Sequence, residues 1–443
     1  MKNKYLNLNL GLYLSFFIIS IYLVEFYLLD NSFNYFWCVE VNDNFNISGF
    51  NLKLPIHCDE GPYYEASRSL DYFFSEDNPY QKRPLYVLGI WITRQVIQLL
   101  DPLGLTSYQE FRLAILFVQF SVLFIILKLV IKYFDLKLRS FNDLLYLSII
   151  LLVPNIRWNI FFPSHGNLTL IALLITLVKI NEKNRTIKSD KIFFLMLGFL
   201  SLAHRVFLIY GLLFIIYVLL NNKKESFGYI FRSLSMLGIS PMLYELSYFF
   251  TPYKSFDWNK EVYGQFFWIY NLLNNKSTLN NEESCQLFST FFKCNLNISY
   301  EFTKFFLLIF IFLATILLIL KFSNKKIPQD FRHLSFLSFG IYIFWSLQGF
   351  YPNFRFIQYS LGYFSILSLL LLLKNLREGR TFFLIAIFLY ELSIYYLEPY
   401  SQTQFQLNNL TFFSILFFIL GLFKHKQNFH KTKILYEEEN ELK

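Results

Sequence analysis

Pro84-Leu85-Tyr86-Val87-Leu88-Gly89-Ile90-Trp91-Ile92-Thr93-Arg94-Gln95-Val96-Ile97-Gln98-Leu99-Leu100 is the stretch on which the reading of this chain turns. It is apolar enough to pass for a membrane span. Counting it as one would put the basic segment Lys132–Arg139 on the external side, against the rule that Lys and Arg collect on the cytoplasmic side. Charge parity therefore predicts that it does not cross. Arg94, Gln95 and Gln98 fall on one helical face and Leu85, Leu88, Ile92, Val96 and Leu99 on the other. That pattern suits a helix lying in the outer interface, with Tyr86 and Trp91 near the headgroups.

The composition around this stretch is that of a membrane protein. Hydrophobic residues make up 55% of 443, aromatic residues 21% and charged residues 16%, and the mean hydropathy is +0.39. The net charge of +9 could suggest nucleic acid, but the basic residues sit mainly in short loops between apolar runs, which argues against that partner. Apolar runs lie at 10–29, 111–131, 142–153, 167–180, 192–204, 206–220, 228–249, 302–320, 334–350, 356–373, 381–397 and 410–423. The expected fold is an all-α polytopic membrane protein of about 12 spans, some of them short. Lys128–Arg139, Lys179–Lys191, Lys223–Arg232, Lys321–Arg332, Lys374–Arg380 and Lys424–Lys433 then share the cytoplasmic side. The first apolar run has no small-residue cleavage site and reads as a retained helix. With no linker, repeat or large polar segment, 1–443 reads as a single integral membrane domain. It has one large external loop at about 30–110 and a second at 250–301.

The first external loop holds the residues with chemistry: His57-Cys58-Asp59-Glu60-Gly61-Pro62-Tyr63-Tyr64-Glu65, then Arg68, then Lys82-Arg83-Pro84. Asp59 suits the cap of a helix beginning Glu60-Gly61-Pro62, because an Asp there accepts from free backbone N–H groups and Pro is tolerated in the first turn. An anchored carboxylate can also act as a general base, with Glu60 beside it to tune its pKa. All four cysteines, Cys38, Cys58, Cys285 and Cys294, fall in the external loops. This suggests disulfides Cys38–Cys58 and Cys285–Cys294, the alternative being four unpaired thiols.

Asp59-Glu60-x-x-Tyr63, the continuation through Glu65, Ala66 and Arg68, and Lys82-Arg83-Pro84-Leu85-Tyr86 resemble the GT-C superfamily of membrane glycosyltransferases. That group includes the protein O-mannosyltransferases and the aminoarabinose transferases of lipid A. Gly104–Arg112 is similar to the start of the family's second span. The resemblance implies two interfacial helices in the first external loop, with Asp59 and Glu60 as the catalytic acids. It also implies a polyprenyl-phosphate-sugar donor and a glycolipid, glycan or protein acceptor. The donor phosphate needs cations, for which Lys82, Arg83, Arg205 and Arg355 are candidates, since guanidinium groups bind phosphate oxygens in pairs. Interface snorkelling would account for the same arginines. His57, Tyr63, Tyr64, Arg68, Arg157 and His165 complete the candidate substrate-binding set. Many relatives carry a carboxylate near Pro154–Asn159, whereas no acid lies between Pro154 and Asn167 here. That departure disfavours a divalent metal, although His57 and His165 could serve as ligands or proton carriers.

The expected activity is transfer of a hexosyl or pentosyl unit, inverting by resemblance, on the periplasmic face of a bacterial inner membrane with both termini cytoplasmic. An endoplasmic reticulum membrane is the alternative location. An O-antigen-type polymerase or ligase would typically rely on arginines in later external loops, and 250–301 contains none. A lipid-linked sugar flippase or transporter would show repeats or several midplane charges. Glu25, Glu245 and Glu391 lie within apolar runs, and no role follows for them from the sequence.

Overall fold

The computed structural model describes residues 2–23, 39–47, 50–57, 60–69, 83–100, 104–153, 166–182, 185–221, 227–247, 307–323, 326–347, 354–376, 379–395 and 409–441, with Ile156, Ile160 and Phe250. Two compact units divide the chain.

The first unit comprises Met1–Val130 and Trp158–Val262. It begins with α1 (Lys2–Leu23) and an antiparallel hairpin of β1 (Val39–Ile47) and β2 (Phe50–His57). Then come α2 (Glu60–Arg68), α3 (Pro84–Leu99) and α4 (Ser107–Phe134, whose last residues fall in the second unit). Apart from this hairpin the described elements are helices, as the all-α expectation has it. The hairpin's apolar residues alternate with polar ones in Val39-Glu40-Val41-Asn42 and Phe50-Asn51-Leu52-Lys53-Leu54, the period of a strand. α4 starts where Thr106 and Gln109 cap each other: Gln109 N–H donates to Thr106 Oγ1 (3.3 Å) and Thr106 N–H to Gln109 Oε1 (2.9 Å). It stops at Asp135, whose φ of 49° turns the chain and lets Leu136 N–H reach Ile131 O (3.0 Å).

The second unit comprises Ile131–Arg157 and Tyr263–Lys443. It contains α5 (Phe141–Leu152), started by Ser140 Oγ accepting from Asp143 N–H. Helices α6 (Asn167–Ile180), α7 (Ile187–Leu200), α8 (Val206–Asn221) and α9 (Phe227–Ser247) return to the first unit. The rest of the second unit is α10 (Leu307–Phe322), α11 (Gln329–Leu347), α12 (Phe354–Lys374), α13 (Arg380–Tyr395) and α14 (Asn409–Glu441). In it α13 lies against α14 and α5, and Phe312 stacks on Phe418 with centroids 3.9 Å apart.

Where it is described, each apolar run read from the sequence falls on a helix, apart from 201–204, which form the turn between α7 and α8. Among the described residues Ser107–Phe134 is long and apolar enough to cross a membrane, whereas apolar helices such as Phe141–Leu152, Asn167–Ile180, Val206–Asn221 and Leu307–Phe322 have 10–17 residues. At 1.5 Å per residue, a helix of 14–16 residues reaches only about 21–24 Å, short of a hydrocarbon core of about 30 Å.

α3 is helical as expected, and of its polar face Arg94 goes into the protein while Gln95 is half-buried and Gln98 exposed. Arg94 is buried, along with Tyr86, Val87 and Ile90. Ile92, Val96 and Leu99 are 48%, 48% and 85% exposed. The helix packs its arginine into the protein and turns its aliphatic stripe outward. Inside, the guanidinium is matched by an ion pair with Glu110 and by hydrogen bonds to Ser67 and Ser107.

Candidate functional site

α2 starts at Glu60, as the capping pattern predicts; Asp59, the residue before it, lies outside the described residues. So do Cys38, Cys58, Lys82, Arg157, His165, Cys285 and Cys294, with residues 251–301. His57 closes β2, and Arg355 is the second residue of α12 in the other unit.

Of the described candidates, Tyr63, Arg83 and Arg205 lie where α2, α3 and the α7–α8 turn come together. Arg83 Nη1 donates to Tyr63 Oη (3.0 Å). The buried Tyr63 ring meets Tyr86 edge-on with centroids 5.8 Å apart, and Tyr86 Oη accepts from Gln119 Nε2 of α4 (2.9 Å). Burial pushes the Tyr86 phenol well above its ordinary value, with Tyr63 adding to the shift. The tyrosine is therefore a neutral, fixed wall.

The first turn of a helix carries N–H groups with no partner inside the helix. In α3 one of them is satisfied from elsewhere: Leu85 N–H donates to Leu202 O (3.1 Å) in the turn between α7 and α8. That bond brings Arg83 beside His204 and Arg205. His204 is buried and its Nδ1 accepts from Val206 N–H (3.1 Å). An imidazole that accepts at Nδ1 carries its proton on Nε2 and is neutral. Burial, then the charges of Arg83 and Arg205, hold its pKa well below the ordinary 6.5. Burial is the main reason the imidazole stays uncharged, and the positive charges of Arg83 and Arg205 act on it in the same direction. Such a locus suits a phosphate, whose oxygens accept from planar guanidinium donors.

Tyr64 and Arg68 face a different neighbourhood. Tyr64 Oη is 3.0 Å from Ser107 Oγ, and its ring packs against Tyr108 and Phe111. Arg68 pairs with Glu65 at the surface (3.4 Å). The sequence reading did not single out Gln119, Glu110 or the buried state of Arg94. A polar residue inside an apolar run, as Gln119 is between Val118 and Phe120, was the available signal.

At the other end of α7, Asp190 accepts from Arg185 Nε through both oxygens (3.1 and 2.8 Å) and from Tyr229 Oη (3.1 Å), with Lys179 Nζ at 3.3 Å. These groups satisfy one another and tie α6, α7 and α9 together. Among the described residues no cluster of three or more His, Cys, Asp or Glu side chains is arranged to hold a metal ion.

No family model matches the chain, and neither a curated protein nor a solved structure is found to be similar to it.

Proposed function

We propose that this chain is a polytopic membrane glycosyltransferase of the GT-C kind, with about 12 spans, transferring a sugar from a polyprenyl-phosphate donor to an acceptor hydroxyl on the external face. The observation that carries the reading is the convergence of Arg83 with the His204–Arg205 turn, beside a helix that starts immediately after Asp59. Outward-facing apolar side chains on α7 and α9, such as Ile192, Phe199, Phe231 and Leu243, support a lipid environment. So does the exposed stripe of α3. Helices shorter than the bilayer core are accommodated by local thinning.

In the reaction, the Asp59 carboxylate takes the proton of the acceptor hydroxyl and the oxygen attacks the anomeric carbon. The bond from that carbon to the phosphate oxygen breaks, and polyprenyl phosphate leaves with the electron pair. Because the leaving group is already an anion, cations matter more than a general acid. Arg83 and Arg205 take that role, and Tyr63 orients Arg83. The bacterial inner membrane is the proposed location, with both termini cytoplasmic and a glycolipid, glycan or protein as acceptor.

The test is a mass-spectrometric profile of surface glycolipids, glycans and glycoproteins from cells carrying the native protein, Asp59→Asn or Arg83→Gln at equal membrane levels. One defined sugar should be lost in both variants, with Asp59→Asn lowering transfer about 10²–10⁴-fold. A sugar lost on gene deletion but retained in Asp59→Asn would refute the assignment of the base.

A further inference from the structure

Arg94 and Glu110 form an ion pair (3.3 Å) whose side chains are only 5% and 10% exposed. A buried ion pair gives little net stability, since well-packed apolar side chains would hold α3 to α4 at least as well. What the pair supplies is orientation. Arg94 Nε donates to Glu110 Oε2, Nη1 to Ser67 Oγ (3.4 Å) and Nη2 to Ser107 Oγ, while its guanidinium lies 5.5 Å from the Tyr64 ring centroid. Gln98 Nε2 donates to the same Glu110 oxygen (2.7 Å). One planar group therefore joins three helices at fixed angles.

α2 has nine residues, too few to hold its shape or direction alone. It is fixed at Tyr63 by Arg83 and near its last turn by Arg94. We infer that Arg94 is a positioning residue: by fixing Ser67 and Tyr64 against α3 and α4 it sets where the start of α2, at Glu60, stands relative to Arg83. The inference rests on the glycosyl-transfer reading above. Released at Ser67, α2 pivots about Tyr63, which lies about 4.5 Å of helix from Glu60, so a tilt of about 15° moves Glu60 by about 1 Å. A displacement of about 1 Å in a reacting group costs on the order of 100-fold in rate.

The experiment compares native protein, Arg94→Lys, Ser67→Ala and Asp59→Asn. It measures transferred sugar in cells at equal membrane levels, and Tm and binding of polyprenyl monophosphate with purified protein. Lys keeps a charge opposite Glu110 but cannot present the guanidinium fork. Arg94→Lys should lower transfer about 10-fold or more while polyprenyl monophosphate binds as tightly as to native protein. Ser67→Ala, which removes a single hydrogen bond, should lower transfer less, with Tm unchanged within about 2 °C. Native transfer in Arg94→Lys, with transfer abolished in Asp59→Asn, would overturn the inference and leave the transfer reading standing. A fall in transfer matched by lost phosphate binding would also overturn it, as general unfolding. If gene deletion removes no sugar, the transfer reading fails and the inference goes with it.

Discussion

Replacing Gly198 by Ala tests how tightly α9 is seated on the helix pair that carries the His204–Arg205 turn. A Cβ at Gly198 would lie 2.4 Å from Leu237 O, 3.1 Å from Leu237 C and 3.2 Å from Met236 O, where ordinary contact begins near 3.4 Å. The atoms it meets are main chain, so no side chain can swing aside, and α9 must withdraw by about 1 Å, which forfeits a quarter to a half of the contact energy of each atom pair across the gap. Overpacking of this kind costs about 1–3 kcal/mol. The better helix propensity of Ala returns about 1 kcal/mol. A net loss of up to about 2 kcal/mol follows, or a Tm lower by about 2–4 °C per kcal/mol. Gly238, on α9, is the control: its nearest neighbour would be Met242 Sδ at 3.8 Å, so Gly238→Ala should gain up to about 1 kcal/mol from propensity alone. Thermal unfolding of the purified proteins in one detergent measures both. Gly198→Ala melting at or above the native Tm, or Gly238→Ala falling as far, would refute the packing argument.

Two further outcomes follow from the site and the hairpin. His204 has a folded pKa depressed below 6.5, so its contribution to stability is fully present above that pH. As pH falls from about 6.5 the unfolded chain binds a proton that the folded chain refuses, and stability drops by up to about 1.4 kcal/mol per unit. Tm measured from pH 7 to 5 should fall less steeply in His204→Asn, and equal slopes would exclude His204 as the cause. The hairpin ladder ends at Val39↔His57, and the next residues outward in sequence are Cys38 and Cys58. Non-reducing peptide mass spectrometry should return Cys38 linked to Cys58; Cys38 alkylated without reductant, or joined to Cys285 or Cys294, would count against it.

The amino-acid sequence determined where the helices lie, because apolar runs and caps act within a few residues of themselves. Asn167–Ile180 was legible to the residue, and Glu60 as the start of α2 followed from the Asp-Glu-Gly-Pro pattern. The hairpin was legible too, in the alternation on both sides of Ser48-Gly49, but the helical reading of the loop passed over it. Only the tertiary structure decided which face of α3 is inside. Periodicity separates a polar face from an apolar one without saying which meets solvent, and a buried partner such as Glu110 reverses the usual answer. Tertiary structure also joined Arg83 to a turn more than a hundred residues away through the Leu85–Leu202 bond, and Gln119 to Tyr86. Those pairings depend on how helices cross, and no local pattern in the chain encodes a crossing.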